Sequence, residues 1–144
     1  MTKYAKRDSF ATRLENSDNV TKLYFKELED YILSFPKIKG RVSLRCVTYR
    51  YNKKEVAKLA LGGRSLKLFL AMDPNTDLLI DKKYHPRDLS QTKAYEAVPT
   101  MLPIKSELAV RKAKDAIQYM FKDMIDIKDY IEQLNERYKN NNAK

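Results

Sequence analysis

From Ser9 to about residue 34, apolar side chains recur at steps of three and four: Phe10, Leu14, Val20, Leu23, Tyr24, Leu28, Tyr31 and Ile32. That spacing keeps one helical face apolar. The polar run "NSDN" at 16–19 divides it, so two helices are expected, and Ser17 or Asp18 can cap the second by accepting a bond from a free backbone N–H. Pro36 stops that helix near Ser34, because proline has no N–H to donate and restricts Phe35. Beyond Gly40 the period changes to two. "RVSLRCVTYRY" reads as one strand with Val42, Leu44 and Cys46 on its buried face and Ser43, Arg45, Val47, Tyr49 and Tyr51 on the other. After the polar turn "NKKE", Ala57, Leu59 and Leu61 alternate against Val56, Lys58 and Ala60. After "GGRS", Leu66, Leu68, Leu70 and Met72 alternate against Lys67, Phe69 and Ala71. Three strands joined by short turns make an antiparallel meander.

"DPNTD" at 73–77 ends the third strand with turn residues, and the stretch to Lys105 reads as short extended pieces and loops. Ser106 and Glu107 then suit a helix start, followed by the stripe Leu108, Ala113, Ala116, Ile117, Met120, Phe121 and Met124. Helical spacing resumes at Ile127, Tyr130, Ile131, Leu134 and Tyr138 before "KNNNAK", which reads as a frayed tail. The expected fold class is α+β: an antiparallel β-meander of three or more strands, packed on one face by N- and C-terminal helices. It occupies 9–124 as a single domain, with a basic arm at 1–8 and a C-terminal helical extension at 125–144. A short strand near Leu79 or Tyr84 would extend the sheet.

The composition narrows the chemistry. Cys46 is the sole cysteine, so an internal disulfide and a multi-thiolate zinc site are excluded and a reducing, cytoplasmic setting is expected. No apolar stretch of about 18 residues and no export-type leader is present, so no membrane span is expected. The formal net charge is +10. Its distribution says more than its size: residues 41–72 hold eight Lys and Arg against Glu55 alone, while the other segments are close to balance. Such asymmetry argues for an anionic partner.

Catalytic constellations are not suggested. "GGRS" lacks the strand-to-helix context and the spacing of a phosphate-binding P-loop, and its glycines fit a hairpin turn. His85 has no second histidine or suitably spaced cysteine for a metal site, and no evident partner for general-base work. Asp123, Asp126 and Asp129 recur at three-residue steps and read as solvated charge between Lys122 and Lys128. Cys46 reads as a small core residue turned away from Arg45. The chain is therefore expected to be no enzyme and to need neither cofactor nor metal.

What remains is the polar face of the meander, carrying Arg41, Arg45, Tyr49, Tyr51, Lys58, Lys67 and Phe69, with Arg64 at the hairpin turn. Interleaved cations and rings suit an acidic protein surface. Alternatively they suit nucleic acid, through phosphate contacts and base stacking with little sequence preference. The pattern does not set an oligomeric state.

The runs "SFATRLENSD", "RVSLRCVTYRYNKKEVAKLALGGRSLKLFLAMDP", "KYHPRDLS" and "VPTMLPIKSELAVRKAKDAI" together resemble an uncharacterised bacterial domain common in Firmicutes. Its pattern has an R-x-S-W-R strand, a G-K-T-L-x-L-x-L-A-L-D-P strand and an I-K-S helix start. The likeness spans roughly residues 9–117. More distantly, the order of elements is similar to the small YdhG-like and MmcQ/YjbR-like α/β domains. The resemblance implies a sheet packed by helices on one face, and the YjbR-like group adds an analogy to DNA binding; fold alone does not carry function. Leu44 stands where that pattern has an aromatic, and Gly63-Arg64-Ser65 replaces Gly-Lys-Thr.

Overall fold

Side-chain caps open three of the described α-helices. In the computed structural model, which describes residues 8–62, 65–76, 78, 79, 84 and 86–142, Ser9 Oγ accepts from the Thr12 N–H at 3.1 Å to start α1 (Phe10–Glu15). Asp18 Oδ1 accepts from the Thr21 N–H at 2.7 Å to start α2 (Asn19–Leu33). Ser106 Oγ does the same for α3 (Glu107–Met124), at 3.1 Å from the Ala109 nitrogen. Each side-chain oxygen satisfies an N–H that the helix itself leaves without a partner. A fourth helix, α4 (Ile127–Asn142), continues past Tyr138 into the asparagine run.

Among the described residues six strands form one antiparallel sheet: β1 (Ile38–Val42), β2 (Cys46–Tyr51), β3 (Lys54–Gly62), β4 (Ser65–Leu70), β5 (Arg87–Asp88) and β6 (Thr100–Ile104), in the spatial order β1-β2-β3-β4-β6-β5. The α+β class and the packing of helices on the sheet agree with the sequence reading. The strands beyond the meander do not include Leu79 or Tyr84 themselves. They come from "TMLPI", which pairs with β4, and from the two-residue β5. Leu79 and Tyr84 are instead buried core residues.

The larger correction concerns "RVSLRCVTYRY". It is the end of β1, a tight turn at Ser43–Cys46 and then β2, rather than one strand. The Ser43 N–H donates to the Cys46 carbonyl at 2.8 Å, and Ser43 Oγ donates to the same oxygen at 2.9 Å. The turn lacks glycine, proline, asparagine and aspartate, so the alternation runs through it without a visible break. Reversal of the chain resets the phase: Val42 pairs with Val47 and Gly40 with Tyr49. Directly opposed residues share a face. Val47, Tyr49 and Tyr51 therefore face the helices, while Val42 and Leu44 are 62% and 63% exposed.

The inner face packs Leu59, Leu66, Leu68 and Leu102 against Phe10, Leu28, Ile32, Ile117 and Phe121. Phe35 bridges the elements, its ring 4.6 Å from that of Phe121 and 5.3 Å from that of Tyr31. At the other end of β2, Asn52 and Lys53 both adopt positive φ (51° and 70°), which a two-residue hairpin needs to match strand twist. The β3–β4 hairpin expected from "GGRS" is present, with Gly62 paired to Ser65. Gly63 and Arg64 lie outside the described residues.

Candidate functional site

The outer face of the sheet collects the side chains opposite the helices. One row crosses all six strands: Arg41, Thr48, Lys58, Phe69, Met101 and Arg87. Beside it run Cys46, Ala60, Lys67 and Pro103, and on the other side Lys39, Arg50 and Glu55. A register irregularity at Tyr49/Arg50 opposes Arg50 to Glu55, so Val56 is the extra residue on β3.

Of the residues expected on this face, Arg41, Lys58 and Lys67 are there, and Arg45 is exposed at the β1–β2 turn. Tyr49 and Tyr51 are not. Tyr49 is fully buried on the helix side, where its hydroxyl donates to Glu29 Oε2 at 2.6 Å; burial first, and then that hydrogen bond, push its pKa well above the ordinary tyrosine value. Phe69 does lie on the outer side, yet only 4% of it is exposed. The segment after β5 folds over it, stacking Tyr95 on its ring at 4.5 Å and 3° and closing a small apolar cluster with Val98 and Met101. None of the three rings is available for stacking a base. Cys46 also belongs to the outer side, half-buried beside Thr48, and not to the core. Arg64 and His85 lie outside the described residues.

Tyr51 has a different task. Its hydroxyl donates to Asp129 Oδ2 and accepts from the Asp126 N–H at 3.3 Å, which ties the start of α4 to the end of β2. Lys37, at positive φ after Pro36, adds ion pairs to Asp129 at 3.1 Å and Glu132 at 2.6 Å. Asp129 is thus a docking residue, not the solvated charge expected from its spacing. The Tyr51 hydrogen bond, and then Lys37, hold its carboxyl below the ordinary value of 3.8, while its acidic partners hold the Lys37 ammonium above 10.5. A carboxylate whose folded-state pKa is depressed stabilises above its unfolded value and loses that contribution as pH falls through the folded one. The lysine's contribution is complete below 10.5. Acid is therefore the relevant direction: amide protection factors along α4 are expected to fall on acidification below 3.8 while those of α3 persist. Asp129→Asn should show the same loss at pH ~7. Equal protection of α4 at both pH values would remove this account.

Charge concentrates at the β1 end of the outer face. A cleft of about 620 Å³ is lined by Lys37, Lys39, Gly40, Arg41, Arg50, Asn52 and Lys53, with no carboxylate among them. Glu55, the acidic residue of this part of the sheet, is engaged by Arg50 at 3.1 Å and Lys58 at 3.8 Å. Lys39, Arg41, Arg45, Lys53 and Lys67 make no ion pair among the described residues. The sequence reading missed Lys39, Arg50 and Lys53 as site residues. Lys39 lay before the assumed strand start, and the alternation placed Arg50 on the wrong face. A larger cleft, about 730 Å³ between α2 and α3, mixes Lys26 and Arg111 with Glu27, Asp30 and Glu107 and so has no single sign of charge.

Among the described residues no group of three or more His, Cys, Asp or Glu is placed to hold a metal ion, and no helix is long and apolar enough to cross a membrane. No protein-family model, curated protein or solved structure matches the chain.

Proposed function

We propose that this chain is a non-catalytic interaction domain that binds an acidic protein partner on the basic outer face, with Arg41, Arg45, Lys58 and Lys67 of the sequence reading joined by Lys39 and Lys53. The observation that carries the proposal is the carboxylate-free cleft at the β1 end, whose Lys39, Arg41 and Lys53 have no internal counter-charge among the described residues. Uncompensated cations on one patch steer an acidic surface toward it and contribute chiefly to on-rate and specificity. The expected fit is to carboxylates presented along the outer face from the β1–β2 end to Lys58 and Lys67, beside the covered Phe69. Nucleic acid remains the alternative through phosphate contacts, but its stacking component has lost Tyr49, Tyr51 and Phe69 to packing.

A fluorescence titration with a glutamate-rich peptide and with single-stranded and duplex oligonucleotides, each at two salt concentrations, separates the readings. The peptide should bind, weaken steeply with salt, and lose about tenfold in affinity on combined Arg41→Ala and Lys67→Ala, the loss of two charge contacts of modest strength. Oligonucleotides binding more tightly than the peptide would transfer the site to nucleic acid. Absence of binding to either at low salt would remove the outer face as a binding site.

A further inference from the structure

β1 is an edge of the sheet, and the hydrogen-bond phase of its pairing is determined from both ends. Ser43 bonds to Cys46 across the first turn, and Tyr51 pairs with Lys54 across the two-residue turn that leads into β3. Bonded and non-bonded pairs alternate along an antiparallel ladder. Arg41–Thr48 and Lys39–Arg50 are therefore the bonded pairs, and the N–H and C=O of Ile38, Gly40 and Val42 point away from β2 along the open edge. No other backbone group among the described residues bonds to them.

Side chains along this edge divide by face. Lys39 and Arg41 stand on the outer side, at the basic cleft. On the helix side are Gly40, Val42 and the exposed Leu33, whose Cδ2 would lie 3.8 Å from a Cβ at position 40. A strand added here would meet cations with one set of side chains and exposed apolar groups with the other.

We propose that β1 receives an extended segment of an acidic partner as a seventh strand, with Asp or Glu alternating with an apolar residue so that the acids face Lys39 and Arg41 and the apolar side chains cover Val42 and Leu33. This rests on the acidic-partner reading and specifies how that partner binds. Main-chain bonds supply affinity in such strand addition and alternate side chains supply specificity. A second copy of the chain is disfavoured as occupant: antiparallel β1–β1 pairing centred on Gly40 would set Lys39 opposite Arg41 twice, and like charges in opposed positions destabilise a sheet. The same cations guard the edge against self-association.

The test uses the full chain and three synthetic peptides alternating Glu and Val: unmodified, N-methylated at the valine amides, and N-methylated at the glutamate amides. In an antiparallel addition the bonding residues lie opposite Ile38, Gly40 and Val42 and share their face, so methylated valines abolish binding and methylated glutamates do not. A parallel addition reverses the two. Either selective loss supports the proposal. Equal binding by all three peptides overturns strand addition and leaves the basic-face reading standing. If the alternating peptide fails while a glutamate-rich peptide of irregular sequence binds, strand addition alone falls; if neither binds at low salt, both readings fall. On the protein side, Val42→Pro removes one outward N–H without touching a bonded pair of the β1–β2 ladder, and proline is tolerated on an edge strand. It should weaken the unmodified peptide about fivefold, one hydrogen bond's worth. Lys39→Glu with Arg41→Glu should abolish acidic-peptide binding and admit a Lys-Val peptide, a reversal that an unfolded variant cannot produce.

Discussion

Tyr49→Ala is expected to lower folding stability by about 3–5 kcal/mol, the usual cost of deleting a large buried ring. No part of Tyr49 reaches solvent. The ring lies over Gly40, where an added Cβ would come within 3.0 Å of Cε1, so the absent side chain on β1 is what makes room for it. Its hydroxyl is held by Glu29 of α2, which joins the second strand to the helical layer. Tyr49→Phe should cost less, about 1.5–3 kcal/mol, because it removes only a hydrogen bond to a charged acceptor. Urea unfolding at pH ~7 would read both through the shift in midpoint at unchanged slope. The acidic-peptide affinity of Tyr49→Phe should match that of the parent chain. Lost binding with stability intact would return Tyr49 to the binding face.

Phe69→Ala is the second large effect, again about 3–5 kcal/mol, and it arises on the opposite side of the sheet. Phe69 is the centre of the small cluster formed with Val98, Met101 and the stacked Tyr95, so its truncation leaves the cover after β5 with little apolar area to hold it. Hydrogen exchange should show lost protection at the Val98 N–H, which bonds to the Tyr95 carbonyl, while β2 and β3 remain protected under native conditions. Lys58, whose ammonium sits 5.9 Å from the centre of the Tyr95 ring, would become more exposed. Peptide affinity should therefore hold or rise. A base-stacking Phe69 predicts the opposite pattern: stability unchanged and oligonucleotide binding lost.

Both predictions concern rings that the alternating pattern placed on the exposed face, and they left it for different reasons. Tyr49 changed face because "SLRC" is a turn. Ser43 supplies the turn's hydrogen bonds from a position that looks like any other polar strand residue. Phe69 kept its face but lost its exposure, because Thr92–Pro99 folds back over β4 and delivers Tyr95 to it. The basic character of the face survived both changes. Lys58 and Lys67 reach it through the alternation of β3 and β4, Arg41 through its pairing with Thr48 on β2, and the cleft adds Lys39, Arg50 and Lys53.

The sequence alone was sufficient wherever one segment's chemistry decides its own structure. Ser106 announces one helix start and Ser17 or Asp18 another because a cap acts within three residues, and Leu66, Leu68 and Leu70 find the core because alternation is an intrinsic property of an extended chain. The concentration of positive charge between residues 41 and 72 was equally plain. Only the tertiary structure decided matters that depend on partners distant in sequence. It brought β6 beside β4, bound Asp129 to Tyr51 across 78 positions, and left the β1 edge open next to the cations. Pairing across a sheet and docking of a helix are set by competition among many alternative contacts, and a local pattern does not record which contact wins.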